Sequence, residues 1–542
     1  MRKKTGLIGI LFMTALSVFG QQNANKDSIL LAPEKYRRSV GYDPVPHRYQ
    51  YSLVELKDMY SEKMMNDAAK VYNRVLETNG QGKWKSTGQS LVKHKIPEWF
   101  EDLKFGMFID WGLWSIAGWA PKNGGAMYPD WYELNMYANP VVKKYHIKNW
   151  GEDFMRDDFI PLFKGSEYNP DKLIDVAINA GMKYVIPFSK HHTGFCLWPS
   201  SFTLRDVGDR MGKDFIQPLV NNCKEKGLKF GFYFSLDEWD YPVIAPDGTL
   251  KIRKWSGRYD KYDTFQENIS SGKIPVKDFN RDYIVPQAVE FIDKYDPDIL
   301  WYDGEWNTDV NLLGSYDISA YFYNQAEGRK EVAINDRYGR EADERLRSHI
   351  GDYYTSEFHN HMAADKSSHV WEECRGISQS YGFNWQDTDE NVISSKQFID
   401  MFVDIVSKGG NLLLIVNLDG QGALPSVQEK RLKDIGNWLK VNGDGIYSTR
   451  AYTTTSEGDV RYTRSKDNKT VYAISLKWPG KTLQLSSVKP AEHSEIYMLG
   501  YDKPLKWSYT DGVTTVSIPQ SLQKESKRPC EHAYTFRIHQ CQ

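Results

Sequence analysis

Short apolar segments alternate with longer amphipathic segments through the middle of the chain, from about residue 99 to residue 447. The amphipathic segments at 170–180, 215–226 and 286–295 are typical of helices. The apolar runs have the length and composition of buried strands: 104–109, 184–188, 230–234, 299–302, 332–334 and 411–416. Because strands that alternate with helices form a parallel sheet, residues 96–447 are predicted to form a (β/α)8-like barrel.

The two flanks of this region have different patterns. Residues 21–95 are polar except at 53–78, where apolar residues recur at three- and four-residue steps, so they predict an N-terminal helical extension. After Gly443 the chain becomes a series of short strands separated by Asp, Asn, Gly and Pro turns: 460–463, 470–476, 482–485, 495–498 and 513–518. The predicted fold class is therefore α/β, with a (β/α)8-like barrel, a C-terminal antiparallel β-sandwich (448–542) and the N-terminal extension.

The first residues have the pattern of an export signal. Arg2, Lys3 and Lys4 precede an apolar run at 6–19, which is too short for a convincing membrane span. Residues 1–20 are therefore predicted to be a signal peptide. The mature protein is predicted to be secreted without membrane insertion, and periplasmic if the source is a Gram-negative bacterium.

Composition excludes some classes of partner. The formal net charge of the 542-residue chain is −2, which argues against nucleic-acid binding. Five cysteines are too few for a disulfide scaffold, although Cys530 and Cys541 could pair. His191 and His192 are adjacent but have no Cys or His partner at ligand spacing, so neither a metal nor another cofactor is predicted. Aromatic residues make up 14% of the chain, which suits the stacking of sugar rings.

Polar residues follow five of the predicted strands, at the point where each strand ends. In a barrel all strands end at the same face, so these side chains are expected to line one pocket rich in carboxylates, His and Trp. The five groups are Asp110-Trp111, Lys190-His191-His192, Asp237-Glu238-Trp239, Asp303-Gly304-Glu305-Trp306 and Asn335-Asp336-Arg337.

Several of these groups lie in longer motifs that point to one family. The most specific are the KHHTGFCLWPS block at 190–200 and the LWYDG block at 300–304, followed by NDR at 335–337 and SKGGNLLL at 407–414. In their order and spacing the chain resembles glycoside hydrolase family 29, the retaining α-L-fucosidases, from about Trp99 to the C-terminus. The resemblance implies a secreted enzyme that removes terminal α-L-fucose from a fucosylated glycan or oligosaccharide.

The resemblance also implies two catalytic carboxylates. The Asp of the LWYDG block is the family's nucleophile, which makes Asp303 the nucleophile here, and a strand end is a rigid support for such a group. The family's acid/base follows the NDR element in a short D-x-x-T-x-E stretch, which corresponds to Asp352–Glu357 and indicates Glu357. Because this region varies in length across the family, three other carboxylates remain candidates for the acid/base: Glu372, Glu373 and Asp336.

The same resemblance assigns the residues that recognise the sugar. Six surround the fucose hydroxyls: Trp131, His191, His192, Tyr233, Trp301 and Arg337. Three more form an apolar wall against the C6 methyl group: Phe108, Tyr128 and Tyr381.

Three positions depart from the family pattern. Asp110 stands where the family has a sugar-binding His, and a carboxylate accepts hydrogen bonds but does not donate them. Asp130 replaces the usual Glu before Trp131, and Phe234 stands where a second Tyr is common. These changes affect which sugar is bound, so an α-L-galactosidase remains an alternative. A catalytically inactive carbohydrate-binding protein is a second alternative, which the retained carboxylates disfavour.

Overall fold

The computed structural model describes residues 30–42, 51–122, 128–255, 258–261 (backbone only), 270–306, 308–341, 350–359, 369–378 and 381–539. The predicted signal peptide lies outside these residues, and so does Cys541, which could pair with Cys530. Within these ranges every helix is too short or too polar to cross a lipid bilayer.

Eight parallel strands form one curled sheet and follow one another around it in chain order. They are β1 (Phe105–Asp110), β2 (Tyr184–Lys190), β3 (Lys229–Ser235), β4 (Ile299–Asp303), β5 (Ala333–Ile334), β6 (Tyr354–Glu357), β7 (Trp371–Gly376) and β8 (Gly410–Asn417). A parallel bridge between Asn335 and Tyr353 joins the two edge strands, β5 and β6. The predicted fold class is confirmed.

Helices cover the outside of this sheet in most of the connections between strands. The six long ones are Pro170–Ala180, Ile216–Lys226, Val285–Tyr295, Ser315–Ala326, Ser395–Ser407 and Ser426–Asn442. The helix Pro170–Ala180 shows why they form here, since Asn169 caps its first turn and Gly181, with φ 88°, ends it in the left-handed conformation. The connections from β5 to β6 and from β6 to β7 contain no helix among their described residues.

The strands end where the sequence analysis expects the pocket. Asp110, Lys190, Asp303 and Glu357 are the last residues of their strands. All residues of β1, β2, β4 and β8 are buried, as expected for a parallel sheet covered on both faces.

An antiparallel sheet is inserted between β3 and β4, and the sequence analysis did not predict it. Its strands are Asp240–Ile244, Leu250–Lys254 and Arg258–Lys261. Buried ion pairs fix it to the barrel: Arg253 contacts Asp237, and Glu238 binds Lys273 (2.7 Å) and Lys190 (3.0 Å). Asp237 and Glu238 are therefore engaged in this anchor.

The N-terminal helices pack against the outside of the barrel. The principal helix, Glu62–Gln81, continues from Leu53–Leu56 through a wider turn at Lys57–Ser61. It buries Met64, Ala68 and Val75 and contacts the helix Ser315–Ala326. Shorter helices follow at Gly88–Leu91 and Glu98–Leu103.

Two antiparallel sheets follow the barrel. One contains Thr449–Glu457, Val460–Ser465, Thr470–Ser475, Tyr534–His539 and Ile496–Met498, and the other contains Thr482–Leu485, Val513–Ser517 and Trp507–Thr510. Residues of both sheets share one apolar core, which makes the pair a β-sandwich. The remaining short helices are Glu34–Tyr36, Trp114–Ala117, Pro129–Trp131, Tyr132–Ala138, Pro140–Asn149, Arg156–Leu162, Val207–Met211, Asn280–Ile284, Val310–Leu312, Gly443–Gly445, Gln520–Gln523 and Glu525–Lys527.

The packing of two barrel helices depends on a single glycine. A Cβ atom at Gly436 would overlap the carbonyl oxygen of Asn179, at the end of the neighbouring helix Pro170–Ala180. We expect Gly436→Ala to lower the free energy of unfolding by about 1–3 kcal/mol, seen as a lower Tm in scanning calorimetry. The matched control is Gly80→Ala, because Gly80 is also in a helix but is exposed, and a Cβ atom there would have no neighbour within 4 Å. This change should raise the free energy of unfolding by up to about 1 kcal/mol. Equal effects of the two changes would contradict this packing.

Candidate active site

Asp303 lies at the centre of the C-terminal face of the barrel, on the last residue of β4. Its Oδ1 accepts a hydrogen bond from Nη1 of Arg337 (2.9 Å), and its Oδ2 accepts one from the hydroxyl of Tyr233 (2.7 Å). Nε2 of His192 lies 3.7 Å from the same Oδ2. The sequence analysis assigned all four residues to one site, and the structure brings them together.

The surroundings of Asp303 keep its carboxylate ionised. Burial by itself raises the pKa of this group, yet the pKa lies below its usual value, chiefly because of the positive charge of Arg337 and also because Tyr233 donates a hydrogen bond to the carboxylate. An anionic oxygen in a water-poor site, with fixed hydrogen bonds, is suited to act as a nucleophile.

Arg337 connects Asp303 to a second carboxylate. While Nη1 binds Asp303, Nη2 binds Oε1 of Glu357, at the end of β6. Nε donates to the hydroxyl of Thr355 (3.0 Å), which in turn donates to Asp336 (2.9 Å). The guanidinium group therefore holds Asp303 and Glu357 on two of its edges, and Asp336 supports it through Thr355.

Trp301 and Glu372 lie beneath this arginine. The indole ring of Trp301 faces the guanidinium at 4.5 Å, and its N–H donates to Glu372 (3.0 Å). Glu372 also accepts a hydrogen bond from Tyr184 (2.6 Å) and is completely buried, which raises its pKa to about 7. Glu373 is buried too, and because side chains alternate along a strand it points to the opposite face of β7. Both residues are thus less accessible than Glu357, whose side chain is 33% exposed.

A chain of hydrogen bonds fixes the protonation of His192. The hydroxyl of Ser235 donates to the carbonyl oxygen of Asp237, so its oxygen accepts from Nδ1 of His192 (2.6 Å). Nδ1 therefore carries the proton. Burial and the neighbouring His191 lower the pKa of His192 well below its usual value, so the ring is neutral and Nε2 is an acceptor facing the site.

His191 and two buried aspartates form the next part of the pocket. Nε2 of His191 lies 3.6 Å from Asp130, and burial lowers the histidine pKa to about 3. Asp110 accepts hydrogen bonds from Nε1 of Trp114 (2.9 Å) and the backbone N–H of Gly382 (2.7 Å). Burial raises the pKa of both aspartates well above the usual value. The charge of Asp130 adds to this effect at Asp110, and the charges of Asp303 and Glu357 add to it at Asp130. One of them can therefore keep a proton and act as a donor.

Two of the three residues expected to form an apolar wall lie together. The rings of Tyr128 and Tyr381 are 5.3 Å apart, and both pack against Phe358, the residue after Glu357. Burial and the nearby Glu357 raise the pKa of Tyr128 to about 12. Phe108 is fully buried among Phe188, Tyr233 and Trp301, so it belongs to the floor of the pocket.

Glu305 is a site residue that the sequence analysis did not select. It follows Asp303 after Gly304, whose φ of 83° turns the chain sharply at this point. Burial raises its pKa to about 8, against the opposing effect of Arg337, so it is protonated at neutral pH. The only signal in the sequence was its place in the Asp303–Trp306 group, and that signal does not separate a site residue from a solvated one.

Several buried polar atoms around Asp303 accept or donate no hydrogen bond within the described residues. They are Nδ1 of His191, Nε2 of His192, Nε1 of Trp239, Oε2 of Glu305 and the hydroxyl of Tyr381. Buried polar groups are normally paired, so these atoms are available to bind the hydroxyl groups of a ligand. Trp131 closes the same side of the pocket, with its ring 5.6 Å from His192 and from Trp239.

Together, a parallel barrel and two carboxylates held on one arginine, beside aromatic rings and open polar atoms, define a glycoside hydrolase. The α-L-fucosidase family model matches residues 72–444, and the model of the α-L-fucosidase C-terminal domain matches residues 453–539. The chain belongs to the α-L-fucosidase family.

Individual relatives agree with this assignment. An α-L-fucosidase of Branchiostoma floridae is 30% identical over 467 residues, covering 84% of this chain and 96% of that protein. The plasma α-L-fucosidase of Rattus norvegicus is 31% identical over 469 residues, covering 83% and 93%. The structure of the Thermotoga maritima α-fucosidase with a mechanism-based inhibitor has a TM-score of 0.68 and 29% identity, and the match covers 84% of this chain and all of that one.

The hydroxyl of Tyr233 should contribute to the low pKa of Asp303. Tyr233→Phe removes a donor that favours the carboxylate, so the pKa should rise. The acidic limb of the kcat/KM profile, where activity is lost as Asp303 is protonated, should move to higher pH by up to about one unit. Tyr283→Phe is the matched control, because that hydroxyl donates to Glu238 (2.7 Å) in the anchor of the inserted sheet. An unchanged acidic limb in Tyr233→Phe would contradict this assignment.

Proposed function

We propose that this chain is an exported exo-α-L-fucosidase that hydrolyses terminal α-L-fucosides with retention of configuration. The observation that carries the proposal is the shared arginine, because Arg337 binds a buried carboxylate, Asp303, and a partly exposed one, Glu357. A retaining glycosidase needs two such groups: one at the anomeric carbon and one within reach of the departing oxygen.

In the first step Asp303 acts as the nucleophile and Glu357 as the acid. An oxygen of Asp303 forms a bond to C1 of fucose on the face opposite the leaving group. The glycosidic C1–O bond breaks, and Glu357 transfers its proton to the departing oxygen. The products of this step are a fucosyl ester of Asp303, the carboxylate of Glu357 and the free alcohol.

In the second step Glu357 acts as the base. Water attacks C1, Glu357 takes the proton of that water, and the ester bond breaks with its electron pair returning to Asp303. Once Asp303 is an uncharged ester, Glu357 is the remaining carboxylate of this pair beside Arg337.

The open polar atoms account for recognition of the sugar. Nε2 of His192 accepts from a sugar hydroxyl, while a proton held by Asp110 or Asp130 supplies a donor where the family uses an imidazole. Tyr128 and Tyr381 offer ring surface to the C6 methyl group. Fucosylated glycans are therefore the proposed substrates, and the basic and apolar start of the sequence supports export, with a periplasmic location in a Gram-negative source.

Removal of the nucleophile gives the first test. Asp303→Ala should lower kcat for an aryl α-L-fucoside by about 10³-fold or more, because the covalent step has no substitute. Azide should restore turnover by entering the space left by the carboxylate, and the product should be the β-L-fucosyl azide, since attack comes from that face. A single cooperative thermal transition of the variant serves as the folding control. Near-normal activity without azide would show that another group is the nucleophile.

Dependence on the leaving group gives the second test. Glu357→Ala should lower kcat/KM by about 10²-fold or more for fucosides with poor leaving groups, and much less for activated aryl fucosides, because only the former need a proton. Glu305→Gln is the comparison, because Glu305 also lies beside Asp303. This substitution should lower the rates of both kinds of substrate alike. If the selective loss appears in Glu305→Gln, the acid/base role belongs to Glu305.

A further inference from the structure

Four tryptophans form a continuous aromatic wall beside the nucleophile. Trp131 lies 5.6 Å from Trp239 and from Trp255 and 5.8 Å from Trp306, and Trp255 lies 4.6 Å from Trp306 in an edge-on contact. Trp239 is buried and Trp131 is half-buried. Trp306 is 39% exposed, so the outer end of the wall faces solvent.

The inserted sheet positions the outer end of the wall. Trp255 directly follows the strand Leu250–Lys254, and Trp306 comes three residues after Asp303. One buried aspartate holds both segments, because Asp237 binds Arg253 of the strand and accepts a hydrogen bond from Thr308 (2.9 Å). Side chains of Arg253 and Asp237 are at most 2% exposed, and removing one partner of such a pair would leave an uncompensated buried charge. Asp237 thus fixes the position of Trp255 relative to Trp306.

The wall begins one histidine ring away from the reacting centre. The ring of His192 lies 5.2 Å from that of Trp306 and nearly parallel to that of Trp255, at 6.4 Å. The other side of His192 faces Asp303 at 3.7 Å. Trp255 and Trp306 are therefore separated from Asp303 by the ring of His192, and the exposed edge of Trp306 lies at the rim of the site.

We propose that Trp255 and Trp306 form a subsite for the leaving group and bind the apolar face of a pyranose ring in a carbohydrate aglycone. This inference rests on the proposed function and adds the residues that bind the leaving group of a fucosylated oligosaccharide. An uncharged ring with axial C–H bonds on one face stacks on indole, and its hydroxyls remain available to solvent and to polar neighbours. Core packing alone does not account for a tryptophan that is more than one-third exposed at the edge of an active site.

The test compares two kinds of substrate for each variant. The first is α-L-fucosyl fluoride, which has no ring in its leaving group and so reports on the fucose site alone. The second is 2′-fucosyllactose or 3-fucosyllactose, whichever the wild-type enzyme hydrolyses faster, because their leaving groups present a galactose or a glucose ring. We expect Trp306→Ala and Trp255→Ala to lower kcat/KM for the oligosaccharide by about tenfold each and to lower kcat/KM for fucosyl fluoride much less. Trp306→Phe, which keeps an aromatic face, should recover most of the loss.

Product inhibition gives a second measurement on the same variants. Lactose should inhibit hydrolysis of fucosyl fluoride by the wild-type enzyme and inhibit Trp306→Ala several-fold more weakly. Trp507→Ala is the control variant, because this tryptophan lies in the C-terminal sandwich and its N–H donates to Ser494. It should match the wild type in both measurements.

The outcomes separate the subsite from the function on which it rests. Equal losses on fucosyl fluoride and the oligosaccharide would show that these tryptophans bind fucose or support the fold, and no loss on the oligosaccharide would exclude the subsite. If the wild-type enzyme hydrolyses neither substrate, the proposed function itself fails.

Discussion

The site depends on one charge, the guanidinium group of Arg337. It holds Asp303 and Glu357, which come from different strands, and it is the largest of the effects that hold the pKa of Asp303 below its usual value despite burial. A buried carboxylate without such a partner would take up a proton and lose its nucleophilicity. The arrangement is reciprocal, because two carboxylates provide the charge that allows an arginine to be buried beside them.

Much of the surrounding structure supports that arginine. Trp301 places an aromatic face against the guanidinium, and Glu372 fixes the indole from within the barrel, which gives a buried carboxyl group a positioning role. On the other side of Asp303, hydrogen bonds from His192 to Ser235 and onward to a backbone carbonyl hold the imidazole with its acceptor facing the pocket. The reacting groups are thus oriented before any ligand enters, as catalysis by positioned charges requires.

The sequence predicted the barrel and most of the pocket, and the parts it missed have a common physical cause. Strands β6 and β7 carry Thr, Ser, Glu, Cys and Arg, so their polar, pocket-facing side chains hide the apolar pattern by which the other barrel strands were found. The inserted sheet was missed because Asp237 resembles a pocket residue until Arg253, 16 positions away, is seen to bind it. Glu305 required knowledge of burial, which a single sequence does not contain. Asp303, His192 and Arg337 were grouped because strand ends converge in any barrel, and the family resemblance assigned their roles.

The most direct test of this account is to trap the covalent intermediate. A fucosyl fluoride with fluorine in place of its 2-hydroxyl should react with the wild-type enzyme and accumulate as the ester, because the 2-fluorine slows both steps while the good fluoride leaving group speeds only the first. Mass spectrometry of the intact protein should show one added fluorofucosyl group, and peptide mapping should place it on Asp303. A label on Glu305 or Glu357, or turnover of α-L-fucosides by an enzyme that never becomes labelled, would contradict the assignment of Asp303 as the nucleophile.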